Sequence, residues 1–276
     1  MKKTLILPLL SVALVAGVTF TNSASAFSVG GIEVGPNGSG FTILATQLYE
    51  SKVTGTTQTL FGAGQVTAIN ANTSFIGAGQ QLNYIFQTTN TLFSATQTVF
   101  DGGFLRFYIG AADTFVNALD QASLTGTPST FNDIIKGGTA NANGLTNLWL
   151  DLNFKTVKDP GGFGVNGAIF GTGTGFSGNN FSGSGLGNLD VVGGIGSGNF
   201  NTNFFDVTNP DGSAGKADFN FASSFSLTSP AAGTTNLPIF GSTTFSAKPI
   251  PEPTSIALLG IGLLAAFGAA KKRDKV

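Results

Sequence analysis

The sequence has no histidine and no cysteine, one tryptophan, one methionine, and only 10% charged residues, where roughly a quarter is usual. The absence of cysteine excludes disulfides, thiolate nucleophiles and Cys-ligated zinc or iron–sulfur sites. The absence of histidine removes the commonest general base and transition-metal ligand. An oxidising destination often invites disulfides, but a domain of this size buries enough surface to do without them. With charge so scarce, the surface must be built from Ser, Thr, Asn and Gly.

Apolar residues make up 41% of the 276, with 40 Gly and 26 Phe, so a core is affordable in residue count. The net charge of −1 conceals an uneven distribution, because six of the 13 basic residues lie in the two end segments. Residues 27–250 hold seven basic and twelve acidic residues, a net of −5. An acidic body without a basic patch argues against nucleic acid as a partner, because that affinity rests on phosphate neutralisation.

The first 26 residues read as a signal peptide. Lys2 and Lys3 form a positive start, Leu5 to Val18 an apolar run, and Ala24-Ser25-Ala26 the small-x-small pattern that signal peptidase cuts, here before Phe27. Residues 27–248 then form the exported body, and 249–276 a closing segment. In that segment Pro251-Glu252-Pro253 precedes an apolar stretch, 256–270, and a basic tail, 271–275, that begins Lys271-Lys272-Arg273. As a helix the stretch is about 22 Å long, short of the roughly 30 Å hydrocarbon core, so Lys271 and Lys272 must snorkel. The basic tail stays cytoplasmic and puts the Pro-Glu-Pro tripeptide, which cannot enter a helix, on the outer face.

This three-part order resembles the PEP-CTERM sorting signal of exopolysaccharide-producing Gram-negative bacteria. The resemblance implies recognition by a membrane-embedded exosortase, anchoring in the cell envelope through the C-terminal membrane helix before sorting, and delivery to the cell surface or extracellular matrix.

Short alternating stretches separated by Gly, Asn, Asp and Thr dominate the body, as half-buried strands do. The clearest is Leu148 to Lys155, with Leu148, Leu150, Leu152 and Phe154 on one face and Asp151, Asn153 and Lys155 on the other. Others are Phe41 to Lys52, Leu82 to Gln87, Phe104 to Ile109, Phe219 to Leu227 and Ser242 to Ala247, and only Ala111 to Ala122 reads as a helix. With turns at Asp101-Gly102, Asp159-Pro160-Gly161 and Asn209-Pro210-Asp211-Gly212, the pattern predicts an all-β antiparallel sandwich or jelly roll filled by Phe, between the signal helix and the short membrane helix. Residues 161–200 hold 15 of the glycines and read as a surface loop or as thin edge strands.

Gly173-Thr174-Gly175-Phe176-Ser177-Gly178 has the letters of a dinucleotide loop, but no apolar strand leads into it and no helix follows, so no nucleotide is expected. No cofactor is expected either. Asp206, Asp211 and Asp218 are a weak oxygen-ligand set for Ca²⁺, explained as well by turn chemistry. Asp101, Asp113, Asp133, Asp151 and Asp190 are the acids from which a polysaccharide hydrolase or lyase would draw a pair, though nothing singles out two of them.

Beyond the tail, the body is similar to flocculation-associated PEP-CTERM proteins. The resembling segments are Gly62-Ala63-Gly64-Gln65-Val66 with Ile69-Asn70, Gly77-Ala78-Gly79-Gln80-Gln81-Leu82, Asp101-Gly102-Gly103-Phe104, Leu148-Trp149-Leu150-Asp151-Leu152 and Gly187-Asn188-Leu189-Asp190-Val191. The likeness implies a non-enzymatic surface or matrix protein that helps cells aggregate within exopolysaccharide, with Trp149 and Tyr108 as sugar-stacking candidates. Its rivals are the hydrolase or lyase above and a passive structural component.

Overall fold

The computed structural model describes residues 26–36, 40–111, 148–176, 182–227 and 239–250. The expected signal helix, the helix over 111–122 beyond its first residue, and the C-terminal membrane helix lie outside the described residues. Among the described residues no helix is long and apolar enough to cross a membrane.

The chain opens with a hairpin of β1 (Ala26–Val29) and β2 (Ile32–Pro36). In β3 (Phe41–Glu50), buried Phe41, Ile43 and Ala45 alternate with exposed Thr42, Leu44 and Thr46, the signature of a strand with one wet face. β4 (Thr59–Gln65) and the short β5 (Ala68–Ile69) share one position beside β3, and the long β6 (Gln80–Phe93) and β7 (Gln97–Ala111) follow. β8 (Leu148–Phe154) and β9 (Ile169–Thr174) each pair with both β7 and β10 (Ser182–Gly193), so they fill one strand position end to end. After the four-residue α1 (Ser197–Phe200), an outer hairpin of β11 (Phe205–Thr208) and β12 (Ala214–Ala217) leads to β13 (Phe219–Leu227) and β14 (Ile239–Ala247).

The expected sandwich or jelly roll does not form. β10 pairs with β13, β13 with β14 and β14 back onto β3, which closes an antiparallel barrel of eight strands. Around the circle each strand neighbours the next in the chain, an up-and-down order that leaves no open edge. The glycine-rich stretch builds part of this wall rather than a loop. Gly183 and Gly185 of β10 lie opposite Gly173 and Gly171 of β9. A Cβ on Gly183 would meet the Phe225 ring at 2.9 Å, so these glycines let aromatic rings lie against the wall.

Phenylalanine fills the barrel as the composition predicts. Tyr84, Phe107, Phe221 and Phe245 pack edge-on or tilted at 5.2–5.7 Å between centroids. One end is plugged by the β1–β2 hairpin and α1, where Phe41, Trp149 and Phe200 meet over buried Val29, Ile32 and Val34. The other end is closed more thinly, by Phe176 and Ile239 with half-buried Phe93, Phe225 and Leu227.

Bulges decide which residues face inward. At Asp101-Gly102, expected to be a turn, β7 instead carries a bulge with Gly102 and Gly103 both at positive φ. Phe100 faces in before it, and Leu105 and Phe107 after it.

Candidate functional site

An open groove of about 790 Å³ lies on the outside of the barrel, across β9, β10, β13, β14 and β3. The strand registers build it from two rows of short side chains. Thr172, Ser184 and Ser224 stand opposite one another in turn, Ser242 continues the row, and Thr46 lines its far side. Thr174, Ser182, Ser226, Phe240 and Tyr49 make the second row. The hydroxyls of Ser224 and Ser242 bond to each other at 3.0 Å. Phe240, 37% exposed, packs edge-on against Tyr49 at 5.4 Å. Among the described residues, none that lines the groove carries a charge.

Inside the barrel, at the end nearer this groove, Glu50 is 6% exposed and lines a cavity of about 40 Å³ with Thr98, Ser223, Gly171, Gly185 and several aromatic rings. That is room for a few water molecules at about 10–15 Å³ each. Burial pushes the Glu50 carboxyl up to about 8, because desolvation penalises the charged form. Tyr84, whose hydroxyl meets Thr243 Oγ1 at 2.6 Å, is raised by burial as well, and the nearby Glu50 adds to the rise. Glu50 was not foreseen as an interior residue. Simple alternation along β3 places it outside with Thr42, Leu44 and Thr46, but the register slips between Gly241/Thr243 of β14 and Leu48/Ala45 of β3, and this turns Leu48 and Glu50 inward.

At the plugged end the chain leaves the barrel. Pro249 is buried, and Ile250 is held by two bonds, its N–H donating to Asn199 O at 2.8 Å and its carbonyl accepting from Asn199 Nδ2 at 2.9 Å. Pro251, Glu252 and Pro253 follow at once, outside the described residues, as do Lys271, Lys272 and Arg273. Of the expected cut site, Ala24 lies outside, while Ala26 and Phe27 open β1, with Phe27 half-buried against the core.

The sugar-stacking assignment of Trp149 is corrected by the structure. Phe107 pairs with Leu150 and Tyr108 with Leu148, so Trp149 is a bulged residue, fully buried, with Nε1 donating to Val29 O at 2.9 Å. Tyr108 is half-buried on the outer wall beside Arg106; burial raises its phenol and the guanidinium lowers it.

The three calcium candidates are not brought together. Asp206 pairs with Lys216 at 2.7 Å on the outer hairpin, Asp211 caps its turn through Ser213, and buried Asp218 accepts the N–H groups of Val191, Thr202 and Asn203 at 2.6–2.8 Å. Among the described residues no three acidic side chains gather as a metal site. Asp151 pairs with Arg106 at 2.9 Å, Asp190 with Lys155 at 2.7 Å, and Asp101 accepts from Thr156, while Asp113 and Asp133 lie outside the described residues. The expected turns at 159–161 and 209–212 form: the Asp159 carboxylate accepts from Gly161 and Gly164, and Gly212 N–H reaches back to Asn209 O at 2.8 Å. Against expectation an apolar strand does lead into the dinucleotide-like letters: Gly173 and Thr174 end β9, after buried Ile169 and Phe170.

Comparison with curated proteins and with solved structures finds no match. A family model does match the segment that leaves the plugged end. Residues 249–273 carry the PEP-CTERM protein-sorting motif, which makes this chain an exported, exosortase-sorted protein, transiently membrane-anchored in a Gram-negative bacterium.

Proposed function

We propose that the exported barrel works by contact rather than catalysis, as a surface or matrix protein that holds uncharged exopolysaccharide on its hydroxyl-lined groove and so supports cell aggregation in flocs or biofilm. The observation that carries this reading is the two-row Ser/Thr ladder, free of charge and ending on the Phe240–Tyr49 pair. Neighbouring strands lie about 4.8 Å apart, close to the length of one sugar unit in an extended polysaccharide. A chain laid across the strands therefore meets one hydroxyl row member per sugar, with an aromatic ring at the end to stack on a pyranose face. The position of the groove fits as well. Ile239 pairs with Glu50 and Ala247 with Phe41, so the rows through Ser242 and Phe240 lie towards the barrel end opposite the chain exit.

The test is genetic. In an exopolysaccharide-producing host, deletion of the gene abolishes or weakens aggregation; the wild-type gene restores it, and a Ser184→Glu/Ser224→Glu gene does not. Aggregation that is unchanged by the deletion removes the proposal. Cleavage of the polysaccharide by the purified protein, abolished by an Asp→Asn change, replaces it with the hydrolase reading.

A further inference from the structure

The described residues include seven exposed large apolar side chains, and four of them, Val192, Ile195, Phe204 and Ile250, lie in segments that are tied to the point where the chain leaves the barrel. Their exposures run from 46% to 55%. They are fixed there by separate ties. Ile250 is bonded to Asn199 of α1, and Ile195, two residues before α1, donates its N–H to Leu148 O at 3.1 Å. The Asp218 carboxylate holds Val191 on one side and Thr202 and Asn203 on the other, which brings the neighbours of Val192 and Phe204 together. Lys248 lies with Nζ 4.7 Å from the centre of the Phe204 ring.

Such a patch in water is a cost unless something covers it. The sequence limits what can. Only five residues, 251–255, separate Ile250 from the apolar stretch at 256–270, and five residues span at most about 18 Å fully extended. While the sorting segment is in the membrane, the plugged end is therefore tethered within that distance of the lipid.

We infer that Val192, Ile195, Phe204 and Ile250 form a lipid-contacting foot, which seats the plugged end of the barrel on the outer face of the membrane while the sorting segment is inserted. Aromatic and aliphatic side chains enter the headgroup boundary, and Lys248 beside Phe204 reaches the phosphates. The barrel then stands on the membrane with the hydroxyl groove in its far half. The inference rests on the sorting motif and not on the polysaccharide reading, which survives its failure.

The full-length chain, reconstituted through its sorting segment into phosphatidylethanolamine/phosphatidylglycerol vesicles with brominated acyl chains, supplies the test. The wild type has a single, buried Trp149 as background. The Phe204→Trp variant is expected to lose most of its added emission to the bromine quencher, while a Ser184→Trp variant in the groove keeps its own. Adding Ile195→Asp to the Phe204→Trp chain restores the emission. Equal emission from the two tryptophan variants overturns the inference. If quenching at position 204 is absent and Ile195→Asp instead blocks removal of the tail in cells, the patch is an exosortase contact and the lipid assignment is wrong.

Discussion

The two ends of the barrel are built on opposite rules. The plugged end is packed with Phe41, Trp149 and Phe200, tied by Asp218, and apolar even where it meets solvent. The far end buries an acid, Glu50, in a glycine-walled cavity under half-buried rings, and its outer wall is hydroxyl and neutral. Aromatic packing and the Asp218 bonds are thus concentrated where the chain leaves the barrel. The far end keeps a buried carboxyl that lowers stability near neutral pH, a usual mark of a region shaped by something other than packing.

The strongest way to break this contrast is at the plugged end. Trp149→Ala removes the indole and its bond to Val29, and is expected to lower stability by about 3–5 kcal/mol in denaturant unfolding. At the far end the sign reverses. The Glu50 carboxyl, raised from 4.5 to about 8, costs nothing below pH 4.5, where folded and unfolded chains are both protonated. Between those values only the unfolded chain ionises, so stability falls as pH rises and levels off above about 8. Glu50→Gln should abolish that slope and gain about 2–4 kcal/mol at pH 9, seen as a melting temperature that no longer falls across the window. Asp218→Ala leaves three backbone donors without an acceptor and should lose about 2–3 kcal/mol, with hydrogen exchange rising first around Thr202 and Asn203. Smallest in stability are the groove changes. Ser184→Glu with Ser224→Glu should lose only about 1 kcal/mol, because both positions are exposed although the two carboxylates stand opposite each other across β10 and β13, yet release the protein from host polysaccharide.

The strands were legible because period-two alternation is local: Phe219 to Leu227 was read to the residue, and Leu150, Leu152 and Phe154 face the core as expected. Closure was not legible. Whether Gly183 to Leu189 pairs with Phe219 to Phe225 is a long-range choice, and the same strands serve a sandwich or a barrel. The errors over Trp149 and Asp101-Gly102 share one cause, a bulge that changes facing without leaving a mark in the composition, and the same kind of slip turns Glu50 inward. The groove did leave a trace. Thr172-Gly173-Thr174, Ser182-Gly183-Ser184 and Ser224-Phe225-Ser226 repeat hydroxyl-x-hydroxyl on three strands, but only the register aligns them into rows.

The direct measurement is binding of the purified exported protein to its host's exopolysaccharide across ionic strength. Contact through an uncharged hydroxyl ladder predicts saturable binding that is nearly independent of salt and absent in the Ser184→Glu/Ser224→Glu protein. Binding that disappears at high salt, or that persists unchanged in the double variant, contradicts the account.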